Sequence, residues 1–325
     1  YPQQHMDFAY ENGCDALALT DHGNCNGLAY QVLHAKSMEK EGKDFKPIYG
    51  CEAYFIPSLT EWSEAYEQSK TDKKKKKEKV SSGFSLEDEA ETKAVKNVLN
   101  HRRHLVLLAQ NQTGLNNIFK LVSQSYKSGN FYRFPRIDYD LLRTNNEGII
   151  ASSACLGGTY AGDLWENLDN GDEAILNAMR KTTENMQSIF GDRWYAELQW
   201  FKHPMQMKLN NFIVQIASEY NLELISTADS HYFNPTVWKD RELYKRFRPG
   251  ATAFFGEMAE NLEDFGMELY PKNGDQMFAS YKKYSSELGE KFDDDLVRES
   301  IERTHYIAHN LSLIHISEPT RQAEI

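Results

Sequence analysis

The feature that most constrains the fold of this chain is a series of short apolar runs separated by amphipathic stretches. Most of these runs are apolar on both faces, as expected for strands covered on both sides by helices. The runs predicted as strands are DALALTD (15–21), KPIYGCEAYF (46–55), HLVLLAQ (104–110), GIIASSACL (148–156), RWYAELQW (193–200) and LELISTADS (222–230). Between them, helical periodicity covers 27–40, 115–125, 172–190 and 205–220. Alternating strands and helices predict a parallel sheet or an α/β barrel.

The composition is that of a globular protein without bulk positive charge. The chain has 325 residues, is 40% hydrophobic and carries a net charge of −11. This charge argues against a protein that coats nucleic acid, although it allows a local DNA groove or a site where metal ions supply positive charge. The four cysteines do not suggest a disulfide framework, and no apolar run approaches the roughly 18 residues of a membrane span. We expect a cytoplasmic protein that does not contact a membrane.

Two segments break the alternation of strands and helices. Residues 58–100 are highly charged and contain five consecutive lysines at 73–77. We interpret this stretch as an inserted, largely disordered surface loop; a lysine tract that touches DNA is the alternative. After residue 235 the pattern becomes helical, as in GDQMFASYKKY and DDDLVRESIERTHYIAHN, which predicts the start of a second unit over 236–310.

Both ends of the sequence have unusual features. The first residue is Tyr, and the chain begins inside a predicted helix, so we expect further sequence upstream. At the other end, LSLIHISEPTR followed by QAEI is similar to a translated sequencing adapter. We therefore leave residues 311–325 out of the reasoning on fold and function.

Several residues able to bind metal lie where a predicted strand ends. His22, Glu52 and Cys155 each end a strand or follow one. Asp229 and His231 close the last strand, and their spacing of two places both on one side of an extended backbone. In barrel-type α/β folds the functional site is built at this end of the strands. A set that mixes imidazole, carboxylate and thiol favours zinc over magnesium.

His104 fits this arrangement less well, because it begins its predicted strand. Taken singly, each of these residues is more often a core or surface residue than a ligand. Their repeated position at strand ends makes one shared metal site the better interpretation.

Longer motifs resemble one family. TDHGNCNG (20–27) and KPIYGCEAY (46–54) are similar to the TDHGN and KPIxGCExY motifs of PHP (polymerase and histidinol phosphatase) domains. HLVLLAQNQTGLNNIFKLVSQSY (104–126), PRIDYDLL with GIIASSACLGG (135–158), and STADSHYF (226–233) resemble motifs of the PHP domain in bacterial and phage DNA polymerase III alpha subunits. ELYPKNGDQMF (268–278) resembles the ELYxKSxEEM segment that follows PHP in those polymerases.

The resemblance implies a distorted seven-stranded α/β PHP barrel over residues 1–235. The family's first strand carries an HxH motif, which is absent here, so the expected barrel lacks its first strand. Up to three divalent metal ions, zinc or manganese, are implied, with Asp21 close behind the ligands. The implied ligands are His22, Glu52, His104, Cys155, Asp229 and His231.

The function that the resemblance implies is that of the N-terminal part of a replicative DNA-directed DNA polymerase. Its PHP site would hydrolyse phosphate esters, in this family as a 3′–5′ proofreading exonuclease. The polymerase palm, with its magnesium ions, would lie beyond residue 310. The implied partners are DNA, dNTPs, a sliding clamp and other replisome subunits. Two alternatives stay open: a free-standing PHP phosphatase acting on a small phosphate ester, and a non-catalytic PHP scaffold that docks a separate exonuclease.

Overall fold

The computed structural model describes residues 1–79, 101–241 and 268–311. Its helices are α1 (Pro2–Glu11), α2 (Leu28–Lys40), α3 (Leu59–Lys79), α4 (Gln112–Ser125), α5 (Tyr139–Thr144), α6 (Thr159–Asn167), α7 (Asp172–Phe190), α8 (Pro204–Tyr220), α9 (Gly274–Glu287) and α10 (Asp294–Asn310). Its strands are β1 (Ala16–Leu19), β2 (Lys46–Phe55), β3 (Arg103–Ala109), β4 (Phe131–Tyr132), β5 (Phe134–Pro135), β6 (Ile149–Ser152), β7 (Trp194–Gln199) and β8 (Glu223–Thr227).

One mixed sheet organises the fold, with the strand order β1-β2-β3-β6-β7-β8. β1 and β2 are parallel, and so are β6, β7 and β8, whereas β3 is antiparallel to both of its neighbours. The sheet curls into half a barrel, which confirms the predicted α/β class, and all six predicted strands are present. The sheet differs from a purely parallel one at β3, because apolar residues on both faces of a strand indicate burial and say nothing about direction.

The starts of several helices are encoded by capping residues. The side chains of Asn111 and Asp138 accept hydrogen bonds from backbone N–H groups in the first turns of α4 and α5. Asn273 and Gln276 form a reciprocal capping box at the start of α9, and Asp293 accepts two backbone hydrogen bonds at the start of α10. Each cap satisfies donors that a helix start leaves without partners, which typically contributes about 1 kcal/mol.

The two faces of the sheet have different neighbours. The register places Glu52, Val106 and Ser152 in one row across three strands, and therefore on the same face, which we call the inner face. Towards the start of the parallel strands the inner face carries an apolar cluster that also includes the end of α10: Ile48, Ile150, Tyr195, Ile225, Ile307, Ala308 and Leu311. The opposite face packs against α4, α6, α7 and α8 in the main core.

Residues 59–79 form helix α3, where the sequence predicted part of a disordered insertion. The buried Leu59 and Trp62 pack with Ile56, and the half-buried Tyr66 extends this small apolar cluster. These side chains recur at helical spacing, but the surrounding charge masked the pattern. Residues 80–100 lie outside the described residues, so the interpretation of that part stays a prediction.

The last two helices pack onto the half-barrel. α10 runs along β8 and ends beneath the inner face, where the buried Leu311 accepts a hydrogen bond from Lys46 Nζ (2.5 Å). The helical prediction for 274–284 and 293–310 agrees with α9 and α10. Residues 242–267 and 312–325 lie outside the described residues, and the boundary at residue 235 and the adapter interpretation stay predictions. Among the described helices, none is long and apolar enough to cross a membrane.

Candidate metal centre

Backbone hydrogen bonds join the segment that follows β1 to β2 at Glu52. The N–H of Gly23 donates to the carbonyl of Glu52 (2.8 Å), and the N–H of Glu52 donates to the carbonyl of Asp21 (3.1 Å). These bonds form an isolated parallel bridge between His22 and Glu52 that extends the pairing of the two strands. The two side chains therefore lie beside each other at the carboxyl ends of parallel strands, which we call the upper end of the sheet.

His104 reaches the same place because β3 is antiparallel. A residue that begins an antiparallel strand lies at the end where its neighbours finish. The Nδ1 atom of His104 is 2.5 Å from Glu52 Oε1, and the Nδ1 atom of His22 is 3.4 Å from the same oxygen. The position of His104 at the start of its strand, which fitted the sequence pattern poorly, is thus what brings it to the other two residues.

The loop from Ser153 to Gly158 brings Cys155 against His104. The Sγ atom of Cys155 lies 3.5 Å from His104 Nδ1, and the N–H of His104 donates to the carbonyl of Gly157 (2.7 Å). The loop is tight: Ala154 has a φ of +59°, and a Cβ on Gly158 would lie 2.0 Å from the Ser153 carbonyl oxygen. Glycine is therefore required at 158 for this close approach.

Asp229 and His231 complete the cluster after β8. Asp229 has a φ of +47°, and its carbonyl oxygen lies 2.7 Å from His231 Nδ1. The rings of His231 and His22 are 5.8 Å apart. The N–H of His231 donates to the carbonyl of Leu269 (2.8 Å), so the segment before α9 holds this loop in place.

The structure thus brings all six predicted ligands to the upper end, and we call them the upper cluster. The ligand atoms of His22, Glu52 and His104 lie within 4.8 Å of one another, and these three residues form its centre. Cys155, Asp229 and His231 surround this centre.

The electrostatics of the upper cluster are dominated by buried negative groups beside imidazoles. Contact with Glu52 raises the pKa of His22 above its usual value, against the opposing effect of burial. Burial disfavours the Glu52 carboxylate, but His104 and His22 outweigh it and hold its pKa at about 2. Burial raises the pKa of Asp229 and of the Cys155 thiol. The neighbouring protein groups therefore do not fully stabilise the charged forms of the Asp229 carboxyl and the Cys155 thiol.

The side chains fit a divalent cation. Glu52 is 5% exposed, and its Oε1 accepts no hydrogen bond of good geometry from the described residues although two imidazole nitrogens lie beside it. A buried carboxylate oxygen without such a partner is costly, and a cation shared with the imidazoles would satisfy it. A cation would also favour the thiolate of Cys155, which burial alone disfavours.

Asp21 and Glu197 support the upper cluster from behind. The carboxylate of Asp21 accepts a hydrogen bond from the N–H of Gly27 (2.6 Å), which fixes the loop that carries His22.

Glu197, which was not predicted from the sequence, is buried on the inner face. Ser152 Oγ donates a hydrogen bond to it at 2.5 Å, and Thr227 also contacts it. Burial raises the pKa of Glu197. The signal for it was the only carboxylate in a strand that is otherwise mostly apolar.

Comparison with known proteins agrees with this geometry. The PHP domain family matches residues 2–200. The chain belongs to the PHP domain family. It is 37% identical over 232 residues to the DNA polymerase III subunit alpha of Aquifex aeolicus, covering 70% of this chain and 16% of that protein.

Two further relatives extend the similarity towards the C-terminus of the chain. The DNA polymerase III subunit alpha of Helicobacter pylori strain J99 is 31% identical over 302 residues, covering 92% of this chain and 20% of the relative. That of Chlamydia pneumoniae is 27% identical over 297 residues, covering 87% and 21%. The chain therefore spans about a fifth of the length of these curated relatives, or less. The predicted resemblance to the PHP region of polymerase III alpha subunits is confirmed.

Proposed function

We propose that this chain is the N-terminal PHP part of a replicative DNA polymerase of the polymerase III alpha type, and that its upper cluster is a metal-dependent phosphodiesterase site. The observation that carries the proposal is the convergence of His22 and His104 on one buried oxygen of Glu52. The activity we assign to it is 3′–5′ exonuclease proofreading of DNA.

In this proposal Glu52, His22 and His104 hold one divalent ion, zinc or manganese. Cys155, Asp229 and His231 provide the ligands around it for further ions. When bound, such ions supply a nucleophilic water near neutral pH and neutralise the charge of a phosphodiester. Asp21 and Glu197 orient the loops and strands that carry the ligands, as hydrogen-bonded partners behind a metal site commonly do.

The rim of the upper cluster favours DNA over a small phosphate ester. The ring of Tyr54 stacks on His22 with centroids 6.1 Å apart, and Phe134 packs edge-on against Tyr54 at 5.3 Å. The guanidinium of Arg102 lies 3.7 Å from the centre of the Phe134 ring. Aromatic faces beside a guanidinium suit the base and the phosphate of a nucleotide at the end of a strand.

The activity of the whole protein is part of the same proposal. Its relatives are named DNA polymerase III subunit alpha, and we propose that the full protein transfers nucleotides from dNTPs, using magnesium in a palm beyond residue 310. We also propose that it works in the cytoplasm with a sliding clamp and other replisome subunits.

The test uses the full 325-residue chain and an oligonucleotide labelled at its 5′ end. We expect the chain to retain divalent metal after dialysis and to shorten the oligonucleotide from its 3′ end with Mn²⁺ present. Glu52→Gln and His104→Ala should lose at least about 100-fold of this rate, because removal of a residue behind a metal site already costs about 10- to 100-fold. His203→Ala, a histidine outside the upper cluster, should keep the rate.

The control substrate is a small aryl phosphate. Faster hydrolysis of the aryl phosphate than of DNA would overturn the exonuclease assignment in favour of a small-molecule phosphatase. Retained metal with no hydrolysis of either substrate would overturn the catalytic proposal and leave the PHP domain as a scaffold.

A further inference from the structure

A second group of metal-ligating side chains lies at the opposite end of the sheet. Asp15, just before β1, faces His305 and His309 in the last two turns of α10. Asp15 Oδ2 is 2.7 Å from His309 Nε2 and 3.2 Å from His305 Nδ1. All three ligand atoms lie within 4.8 Å of one another. We call these residues the lower cluster; none of them belongs to the upper cluster.

The fold holds the lower cluster together through contacts that do not involve its own side chains. Ile307 and Ala308 are buried in the apolar cluster of the inner face, and Lys46 Nζ donates to the carbonyl of Leu311. Arg303, two residues before His305, forms an ion pair with Glu223 at the start of β8. The end of α10 is therefore fixed beside Asp15 by packing, and both histidines point in one direction because they are four residues apart on a helix.

The donor set matches a zinc-type ion better than an ion pair. Two imidazoles compete for a single carboxylate oxygen, and their ring centroids are only 4.2 Å apart. If both rings were protonated they would repel each other, whereas a divalent ion would attract both rings and the carboxylate. Two imidazoles with one carboxylate form a common protein site for zinc, with the remaining position open to water.

The distances allow such an ion with small adjustments. Ligand atoms about 2.0–2.1 Å from a tetrahedral zinc ion lie about 3.3 Å from each other. The 3.2 Å separation of Asp15 Oδ2 and His305 Nδ1 already matches this value. The 2.7 Å separation of Asp15 and His309 has to lengthen by about 0.6 Å to reach this value, and the side chains, 49–58% exposed, have room for this.

We propose that Asp15, His305 and His309 form a second divalent metal site, of the zinc type, that clamps the end of α10 to the start of β1. The ion joins residues that are separated by most of the chain. It adds a cross-link between the last described helix and the half-barrel to the packing that already holds them together.

The test is a zinc titration of the full chain against a chromophoric indicator, with Zn²⁺ as the only added ligand. We expect the double variant His305→Ala/His309→Ala to bind about one zinc ion fewer than the parent chain. Asp15→Asn should weaken this ion at least tenfold and leave the circular dichroism spectrum unchanged. The matched control is His34→Ala, because His34 and Asp7 form a similar, partly exposed pair (2.7 Å) that has no third ligand among the described residues.

Two outcomes would overturn the lower site. One is a double variant that is folded by circular dichroism and binds as much zinc as the parent. The other is an equal loss of zinc in His34→Ala, which would indicate unspecific binding to surface histidines. Metal retained by the upper cluster does not affect the result, because none of these substitutions touches it.

Discussion

The two ends of the inner face carry two clusters of similar chemistry in opposite environments. At the upper end, the oxygen shared by two imidazoles belongs to Glu52, which is 5% exposed. At the lower end, the shared oxygen belongs to Asp15, whose side chain is 49% exposed. Water can satisfy the lower carboxylate and cannot reach the upper one. Burial therefore decides how strongly each cluster depends on a cation, more than the identity of the ligands does.

The difference also appears in the backbone around each cluster. Ala154 and Asp229, both in loops of the upper cluster, have positive φ values. Asp15, His305 and His309 do not have positive φ values. Asp15 directly precedes β1, and the two histidines lie in the last two turns of α10. Strained backbone near a cluster typically marks a site whose geometry is fixed in advance. This difference agrees with the proposed roles of the upper cluster as a reaction site and of the lower cluster as a structural clamp.

Removal of metal is expected to have the largest effect on the stability of the chain. Most of this effect should come from the metal held by the upper cluster. A ligand at 1,000 times its dissociation constant stabilises the folded chain by about 4 kcal/mol. At about 2 °C per kcal/mol for a chain of this size, chelation should lower the melting temperature by about 8 °C. Calorimetry with and without chelator measures this change.

The variants of the two ends separate their contributions. Glu52→Gln should abolish most of the change on chelation, whereas His305→Ala/His309→Ala should keep most of it. An equal loss in both variants would contradict the proposed difference between the ends.

The next largest effect is expected from Gly158→Ala, which should damage the upper end alone. The new Cβ would lie 2.0 Å from the Ser153 carbonyl oxygen, so the loop that carries Cys155 has to move. We expect a loss of about 3 kcal/mol in the free energy of unfolding, measured in urea, together with weaker metal binding at the upper cluster.

The matched control is Gly274→Ala in the first turn of α9, where the nearest atom would be 3.4 Å from the new Cβ. This variant should be neutral or slightly stabilising. If the Gly158→Ala chain were as stable as the parent, the loop from Ser153 to Gly158 would not have the rigid conformation that we assign to it.

The smallest effect concerns the segment that holds His231. The side chain of Lys272 in this segment is only 2% exposed, and burial lowers its pKa from 10.5 to about 8. Between pH 8 and 10.5 the unfolded chain binds more protons than the folded chain, so stability rises with pH in this window. Lys272→Met should therefore stabilise the chain by about 1–2 kcal/mol at pH 7, with a gain that shrinks towards pH 10.

Melting temperatures measured from pH 6 to 10 test this prediction. Lys283→Met is the control, since Lys283 contacts the same Glu268 but is 53% exposed, and it should give no gain. A gain from Lys272→Met that grows with pH would contradict the assigned sign.

Much of the fold was predictable because it depends on local patterns. The apolar runs located all six strands of the sheet, and the positions of His22, Glu52, Asp229 and His231 at strand ends located the upper cluster. The direction of β3 was not predictable, because apolar patterning does not encode which way a strand runs.

Other features depend on contacts between distant parts of the chain. The sequence marks Glu197 as a lone carboxylate in its strand, but its hydrogen-bond partners, Ser152 and Thr227 of the neighbouring strands, are visible only in the fold. The lower cluster joins Asp15 to α10 through tertiary packing that no sequence window contains. Helix α3 was missed because charged neighbours obscured a short apolar stripe.

The reversed direction of β3 has a consequence for how this protein can change in length. The chain leaves β2 and re-enters β3 at the same end of the sheet, so the connection between them never has to cross it. Extra residues there lengthen a closed loop, and each doubling of its length costs only about 0.6 kcal/mol. Insertions in this connection, outside the packed part of helix α3, are therefore expected to leave the register of β2 and β3 intact. A reporter domain could therefore be grafted there, beside the mouth of the upper cluster, without rebuilding the barrel.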